Sequence, residues 1–283
     1  MAMPLLPSEE LAFCTVRICC SLADGERSTG TGFFFSFDIE GDERVPALVT
    51  NKHVVEDSIE GVLTLTRAAT GGGPDVGRQV TVTLADFAAR WIGHPDPSVD
   101  LCVLPMAQVI TDTTVAGDTF FHVTLHEGIL PTPDDLEDLS AVEEILMVGY
   151  PNGIWDATNN MPIFRRGVTA THPNIDYEGC KEFMIDAACF PGSSGSPVFL
   201  WNTQGWTPRN GEAVIAGVRI KLLGLLYAGP QHTATGEVHI VKVPTQQRAV
   251  AISRIPNNLG LVIKSTRIQE MEAVLRERLT SGA

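Results

Sequence analysis

No apolar run in the 283-residue chain approaches the roughly 18–20 residues that a membrane-spanning helix needs. The start, Met1-Ala-Met-Pro-Leu-Leu-Pro-Ser-Glu-Glu10, lacks the basic opening, apolar stretch and small-residue cut site of a secretory signal. A cytoplasmic protein with no membrane partner is therefore expected. Cysteine is scarce, with six residues at positions 14, 19, 20, 102, 180 and 189 and no Cys-x-x-Cys pair. That speaks against a disulfide framework and against structural zinc, and favours reduced thiols. Positive charge is scarce too: 20 Lys and Arg stand against 34 Asp and Glu, a net charge of −14, which speaks against nucleic acid as a partner. Between Arg90 and Arg165 no Lys or Arg occurs, while acids crowd that stretch, densest in Pro133-Asp-Asp-Leu-Glu-Asp138. A solvated loop is the plain account of this run, and a surface that steers basic partners is the sharper one. No His-Glu-x-x-His occurs. His122 and His126 have helical spacing but lie in a strand-like run without the Glu, so no metal and no cofactor are expected.

What the chain has is apolar material in short pieces. At 44% hydrophobic and 19% charged it can bury a core, and no internal repeat or low-complexity tract interrupts it beyond the loop Gly71-Gly-Gly73. Strands are predicted at Phe13–Cys20, Thr31–Phe37, Ala47–Thr50, Val62–Leu65, Val80–Leu84, Leu101–Leu104 and Phe120–Leu125. A second series is predicted at Ile145–Gly149, Ile163–Thr169, Glu182–Ile185, Ser196–Leu200, Ala213–Val218, Leu222–Tyr227, Glu237–Lys242 and Gly260–Ile263. Short strands without interleaved helices predict barrels or sandwiches. One helix is predicted at the end, capped by Thr266 with Gln269 three residues on. Its apolar stripe Ile268, Met271, Leu275 and Leu279 lies opposite Arg267, Glu270, Arg276 and Glu277.

The chemistry concentrates in Asp186-Ala-Ala-Cys-Phe-Pro-Gly-Ser-Ser-Gly-Ser-Pro-Val-Phe199. Glycines flanking a serine let the backbone turn tightly, so that the amides of Gly192 and Ser194 can converge as an oxyanion hole around a Ser194 nucleophile. A Gly/Ser-rich turn between strands is the bland account. A serine nucleophile needs a base, and the base a carboxylate. His53 ends the apolar strand Ala47-Leu-Val-Thr-Asn-Lys-His, and Asp100 opens Asp100-Leu-Cys-Val-Leu104. An α/β-hydrolase is disfavoured, because Ser196 stands two after Ser194 where Gly-x-Ser-x-Gly needs glycine.

The order His53, Asp100, Ser194 resembles that of the trypsin-like (chymotrypsin-fold) serine peptidases, most closely the bacterial HtrA (Deg) type peptidase domain. The resemblance rests on Thr31-Gly-Phe-Phe34, Val49-Thr-Asn-Lys-His-Val-Val55, Asp100-Leu-Cys-Val-Leu104, Val148-Gly-Tyr-Pro-Asn-Gly153, Gly192-Ser-Ser-Gly-Ser-Pro197 and Asn258-Leu-Gly-Leu-Val-Ile-Lys-Ser265, and it runs from about residue 12 to about 280. It implies an all-β fold of two antiparallel six-stranded β-barrels with a C-terminal α-helix; in departure from the HtrA pattern, no PDZ-like domain is expected. Residues 1–125 would form the first barrel, 126–145 an acidic connection, 146–264 the second barrel and 265–283 the helix. It implies a serine endopeptidase that acts on a protein or peptide substrate.

The resemblance further makes Ala188, with Cys189 and Phe190, the base of the primary pocket, and Leu226, Tyr227 and Ala228 the wall that pairs with substrate. With no charge at that base, cleavage is expected after small or medium apolar residues. The departures also matter. Val54 follows His53 and Cys189 is offset by one, so the disulfides of secreted trypsins are not supported. Ser193 stands where those enzymes have an Asp that pairs with a freshly cut N-terminus, so maturation by that route is not expected. An activating protein partner or oligomer is the expected alternative, and a catalytically silent binding module is the competing reading.

Overall fold

A strand buried on one face alternates apolar and polar residues, whereas Thr31-Gly-Phe-Phe-Phe35 is buried throughout. A computed structural model, which describes residues 4–39, 44–211, 213–229, 231–234, 253–256 and 258–281, shows why. Phe34 joins the core of the first sheet, while Phe33, Phe35 and Phe37 point the other way into a second core shared between two sheets. The same division recurs further on, where Ile145 and Met147 enter the core of the second sheet and Leu146 and Val148 the shared one. Strands pressed on both faces read as unbroken apolar runs.

After α1 (Pro7–Phe13), the first sheet contains β1 (Thr15–Leu22), β2 (Arg27–Asp38) and β3 (Arg44–Thr50), then α2 (Lys52–Val55) leads to β4 (Ser58–Ala68) and β5 (Pro74–Ala85). It is completed by β6 (Ile92–Gly93), β7 (Cys102–Pro105), α3 (Ala107–Val115) and β8 (Phe120–Phe121). The order is β5-β4-β1-β2-β3-β7-β6, all antiparallel, with β8 against β4. The sheet has eight strands, seven on this path and β8 off it, and among the described residues no pairing joins β5 to β6. The chain joining those two strands buries Phe87 and Trp91, which meet edge-on at 5.5 Å, in the sheet's own core.

Past α4 (Pro133–Asp138) come β9 (Glu144–Gly149), β10 (Ile163–Thr169), β11 (Glu182–Asp186), β12 (Pro197–Asn202) and β13 (Arg219–Ala228). A ribbon of β14 (Gln231–Ala234) and β15 (Ser253–Pro256) precedes β16 (Leu259–Lys264). Strands β10-β11-β16-β13-β12-β9 close into a six-stranded antiparallel barrel. The fold is the mostly-β double-barrel architecture expected from the sequence. Among the described residues no helix is long and apolar enough to cross a membrane. The six cysteines are all free thiols, with Cys14, Cys20, Cys102 and Cys189 buried.

Three local expectations change. Ala213–Val218 forms no strand: only Ile215 bridges, to Trp206, and among the described residues no strand covers the exposed Val214 and Val218. Glu237–Lys242 lies outside the described residues. The terminal helix forms as α5 (Thr266–Gln269) and α6 (Met271–Ser281), but Ser265 occupies the N-cap position, already helical at φ −60° and ψ −22°, so no Thr266 capping box forms. Its stripe is as expected where described: Ile268, Met271 and Leu275 are buried in the shared core, each contributing about 2 kcal/mol of apolar burial.

The acidic connection is also not a free loop. Thr132 caps α4, accepting from the Asp135 N–H at 3.1 Å, while Asp135 meets Lys221 at 3.0 Å and Asp138 meets Arg219 at 2.8 Å. These two carboxylates are clamped to the second barrel, while Asp134 and Glu137 of the same run stay exposed.

Candidate active site

His53 lies in the single turn of α2, just after β3, and Asp100 stands two residues before β7, which pairs with β3. Adjacent strands therefore deliver both side chains to one end of the sheet. The His53 Nδ1–H donates to Asp100 Oδ2 at 2.5 Å, and the His53 backbone N–H donates to Asp100 Oδ1 at 3.1 Å. Burial pushes the Asp100 carboxyl up, but the hydrogen bonds and charge of His53 outweigh it and hold the group below the usual carboxylate range.

Two neighbours to which the sequence assigned no role hold this pair. The fully buried Asn51 donates from Nδ2 to the Asp100 carbonyl at 2.7 Å. Lys52 Nζ donates to the carbonyls of His94 and Asp96, at 3.2 and 3.3 Å, anchoring the loop that ends in Asp100. The dipeptide Asn51-Lys52 inside the His53 segment was the only available signal.

Ser194 is brought to the same end from the second barrel. Its carbonyl accepts the Thr31 N–H at 2.9 Å, and Thr31 in turn presents its own carbonyl to the Thr50 hydroxyl at 2.7 Å, three residues before His53. Thr31 is the seam between the barrels. Its hydroxyl donates to the Gly192 carbonyl at 3.2 Å and accepts from the Tyr150 N–H at 3.1 Å and the Ser196 hydroxyl at 3.3 Å, using its full bonding capacity. Gly195, at φ +83°, presses its α-carbon against the Thr31 carbonyl and the Thr50 hydroxyl, a place no side chain can enter.

The loop Pro191–Ser194 is fixed by the Asn152 N–H donating to the Pro191 carbonyl at 2.5 Å and the Ser193 N–H donating to the Phe190 carbonyl at 3.0 Å. Among the described residues, the amides of Gly192 and Ser194 donate to no backbone acceptor. No hydrogen bond joins the Ser194 hydroxyl to His53; such contacts often tighten only when substrate arrives. The Ser193 hydroxyl is buried without a hydrogen-bond partner among the described residues.

Of the pocket residues, Cys189 and Leu226 are buried, while Ala188, Phe190, Tyr227 and Ala228 are half-buried. The Ser194 loop is stitched to this wall by Gly195 N–H donating to the Leu226 carbonyl at 2.7 Å and Leu226 N–H donating to the Ser196 carbonyl at 2.9 Å. Burial lifts the Cys189 thiol to about 11, leaving it a neutral lining group. The Tyr227 hydroxyl turns away to donate to Glu182 at 2.8 Å.

Two barrels meeting along Thr31, with a His–Asp pair on one and a glycine-flanked serine on the other, define the architecture of a trypsin-like peptidase. The trypsin-like peptidase domain family matches residues 30–205, well over half the chain, and the chain belongs to that family. Among solved structures it is similar to an HtrA-type protease AlgW with tripeptide, at TM-score 0.50 and 16% identity. That similarity covers 95% of this chain and 62% of the other, so the chain spans about three fifths of that protein's length. No curated protein matches in sequence.

Proposed function

We propose that this chain is a serine endopeptidase in which Ser194 attacks the scissile carbonyl, His53 takes and returns the proton, and Asp100 fixes the imidazole tautomer. The observation that carries the reading is the doubly hydrogen-bonded His53–Asp100 pair at the end of the sheet that Ser194 is tied to through Thr31. With Nδ1–H committed to the carboxylate, Nε2 is the basic nitrogen, free to accept the serine proton. The two amides at Gly192 and Ser194 that lack backbone acceptors would receive the oxyanion. Substrate would pair as a strand along Leu226–Ala228. The pocket base at Ala188 carries no carboxylate, so Lys and Arg side chains are not favoured there.

The loop that carries Ser194 is held by Asn152 and Thr31 through hydrogen bonds, with Ser193 uncharged. Ordering therefore needs no buried ammonium, whether or not an activating partner adds to it. A fluorophosphonate probe should label Ser194 in the intact protein. Ser194→Ala should abolish labelling and lower kcat by on the order of 10⁶. Peptide hydrolysis unchanged in Ser194→Ala overturns the assignment, and a folded protein that never labels is the catalytically silent module instead.

A further inference from the structure

β10 carries two successive arginines, and strand geometry sends them to opposite faces. Arg166 points outward, where it meets Glu144 at 2.8 Å. Arg165 stands opposite Met147 in the ladder, and Met147 lies in the core of the second barrel, so Arg165 enters from the inner face. Sheltered cations elsewhere in this barrel and its helix have carboxylates: Arg219 has Asp138 and Glu143, Lys221 has Asp135, Lys264 has Asp176, and Arg267 has Glu270. Among the described residues Arg165 has none.

One guanidinium nitrogen of Arg165, Nη1, is closed off from solvent and has no hydrogen-bond partner among the described residues. The guanidinium carbon instead stands 4.9 Å from the centroid of the Phe190 ring. Burial lowers the guanidinium's proton affinity while the neighbouring Cys189 acts in the opposite sense, and an arginine remains charged throughout. Phe190 accepts the Ser193 N–H and so belongs to the turn that presents Ser194. The cation, with no carboxylate partner among the described residues, thus lies against Phe190 and near Cys189, two residues assigned to the primary pocket. A buried donor without a partner is costly, and a carboxylate entering that pocket would relieve the cost with a charge-assisted bond.

We propose that Arg165 is a specificity-determining residue and that the primary pocket takes an acidic side chain, Asp or Glu, immediately before the bond to be cut. This rests on the serine peptidase reading and replaces the purely apolar pocket expected from Ala188, Cys189 and Phe190. No sequence motif marked Arg165, because only the closed barrel turns it towards Phe190.

The test uses peptides that differ only at the residue before the bond, Glu, Gln, Ala or Lys, compared by kcat/KM with the intact protein. Glu should exceed its neutral isostere Gln by on the order of tenfold to a hundredfold. Arg165→Gln should erase that ratio, and Arg165→Lys, which keeps the charge, should retain part of it. A Glu/Gln ratio near one in the unmodified protein, or one that survives Arg165→Gln, overturns the proposal. Fluorescence anisotropy with Ser194→Ala, using labelled peptides that end in Glu or Gln, separates this from failure of the catalytic reading because it needs no turnover. Tighter binding of the Glu peptide that disappears in Ser194→Ala/Arg165→Gln supports the acidic pocket. Equal binding of the two peptides, or binding of neither, overturns it even if the chain proves to be an active peptidase.

Discussion

Asp100→Asn is the substitution that most directly interrogates the His53–Asp100 pair. The carboxylate accepts two N–H groups at once, the imidazole Nδ1–H at 2.5 Å and the His53 backbone N–H at 3.1 Å. Asparagine is nearly the same size but offers one acceptor oxygen and one NH₂ donor. If its oxygen takes the backbone N–H, the NH₂ faces Nδ1, and the imidazole must shift its proton to Nε2. Nε2 then has no lone pair to receive the serine proton. The rate should fall by about 10⁴, the size this change has in the trypsin-like template, or roughly 5 kcal/mol of transition-state stabilisation. Stability should change by only about 1 kcal/mol, because the site is partly solvated and one hydrogen bond survives. The assay is the second-order rate of fluorophosphonate labelling, alongside thermal unfolding. Labelling within tenfold of the unmodified protein, with the fold intact, would refute the argument from tautomer control.

Packing and titration give two further expected outcomes. Gly195→Ala combines a left-handed backbone with a methyl group driven into the Thr31 carbonyl and the Thr50 hydroxyl, so it should cost about 3 kcal/mol and lower Tm by roughly 10 °C, whereas Gly71→Ala, with open space around it, should change Tm little. His94 is buried between the Glu270 carboxylate, at 3.0 Å, and the Asp96 N–H, with Arg267 nearby; burial, outweighing Glu270, holds its pKa below the ordinary histidine value of about 6.5. The unfolded chain then binds a proton that the folded chain refuses, so stability falls as pH drops below about 6.5. His122 and His172 are depressed as well, and the comparison isolates His94: His94→Gln should flatten part of the decline in unfolding free energy between pH 6.5 and 5, and an unchanged slope would refute this.

The chain's short apolar runs declared the strands, and the ordered motifs around His53, Asp100 and Gly192–Pro197 declared the double barrel, because both signals are local. A strand buried on both faces must be apolar wherever its partners come from, and a glycine is needed wherever a backbone is crossed at positive φ. Contacts fixed by strand register around a closed barrel carry no such local mark. Thr31 read as one residue of a Gly/Phe strand, yet it is the hydrogen-bonding seam between residues separated by more than 110 positions. The acidic run 133–138 read as a solvated loop because the Arg219 and Lys221 that neutralise it lie some 80 residues further on. Ala213–Val218 had strand composition but, among the described residues, only the Ile215–Trp206 bridge to pair it, and composition cannot supply a neighbour. Arg165 and Arg166 are identical in sequence context. The parity of the strand and the closure of the barrel send one to a surface carboxylate and leave the other beside Phe190 with no carboxylate among the described residues, so the residue types followed from local chemistry while their charge environment was decided only in the folded chain.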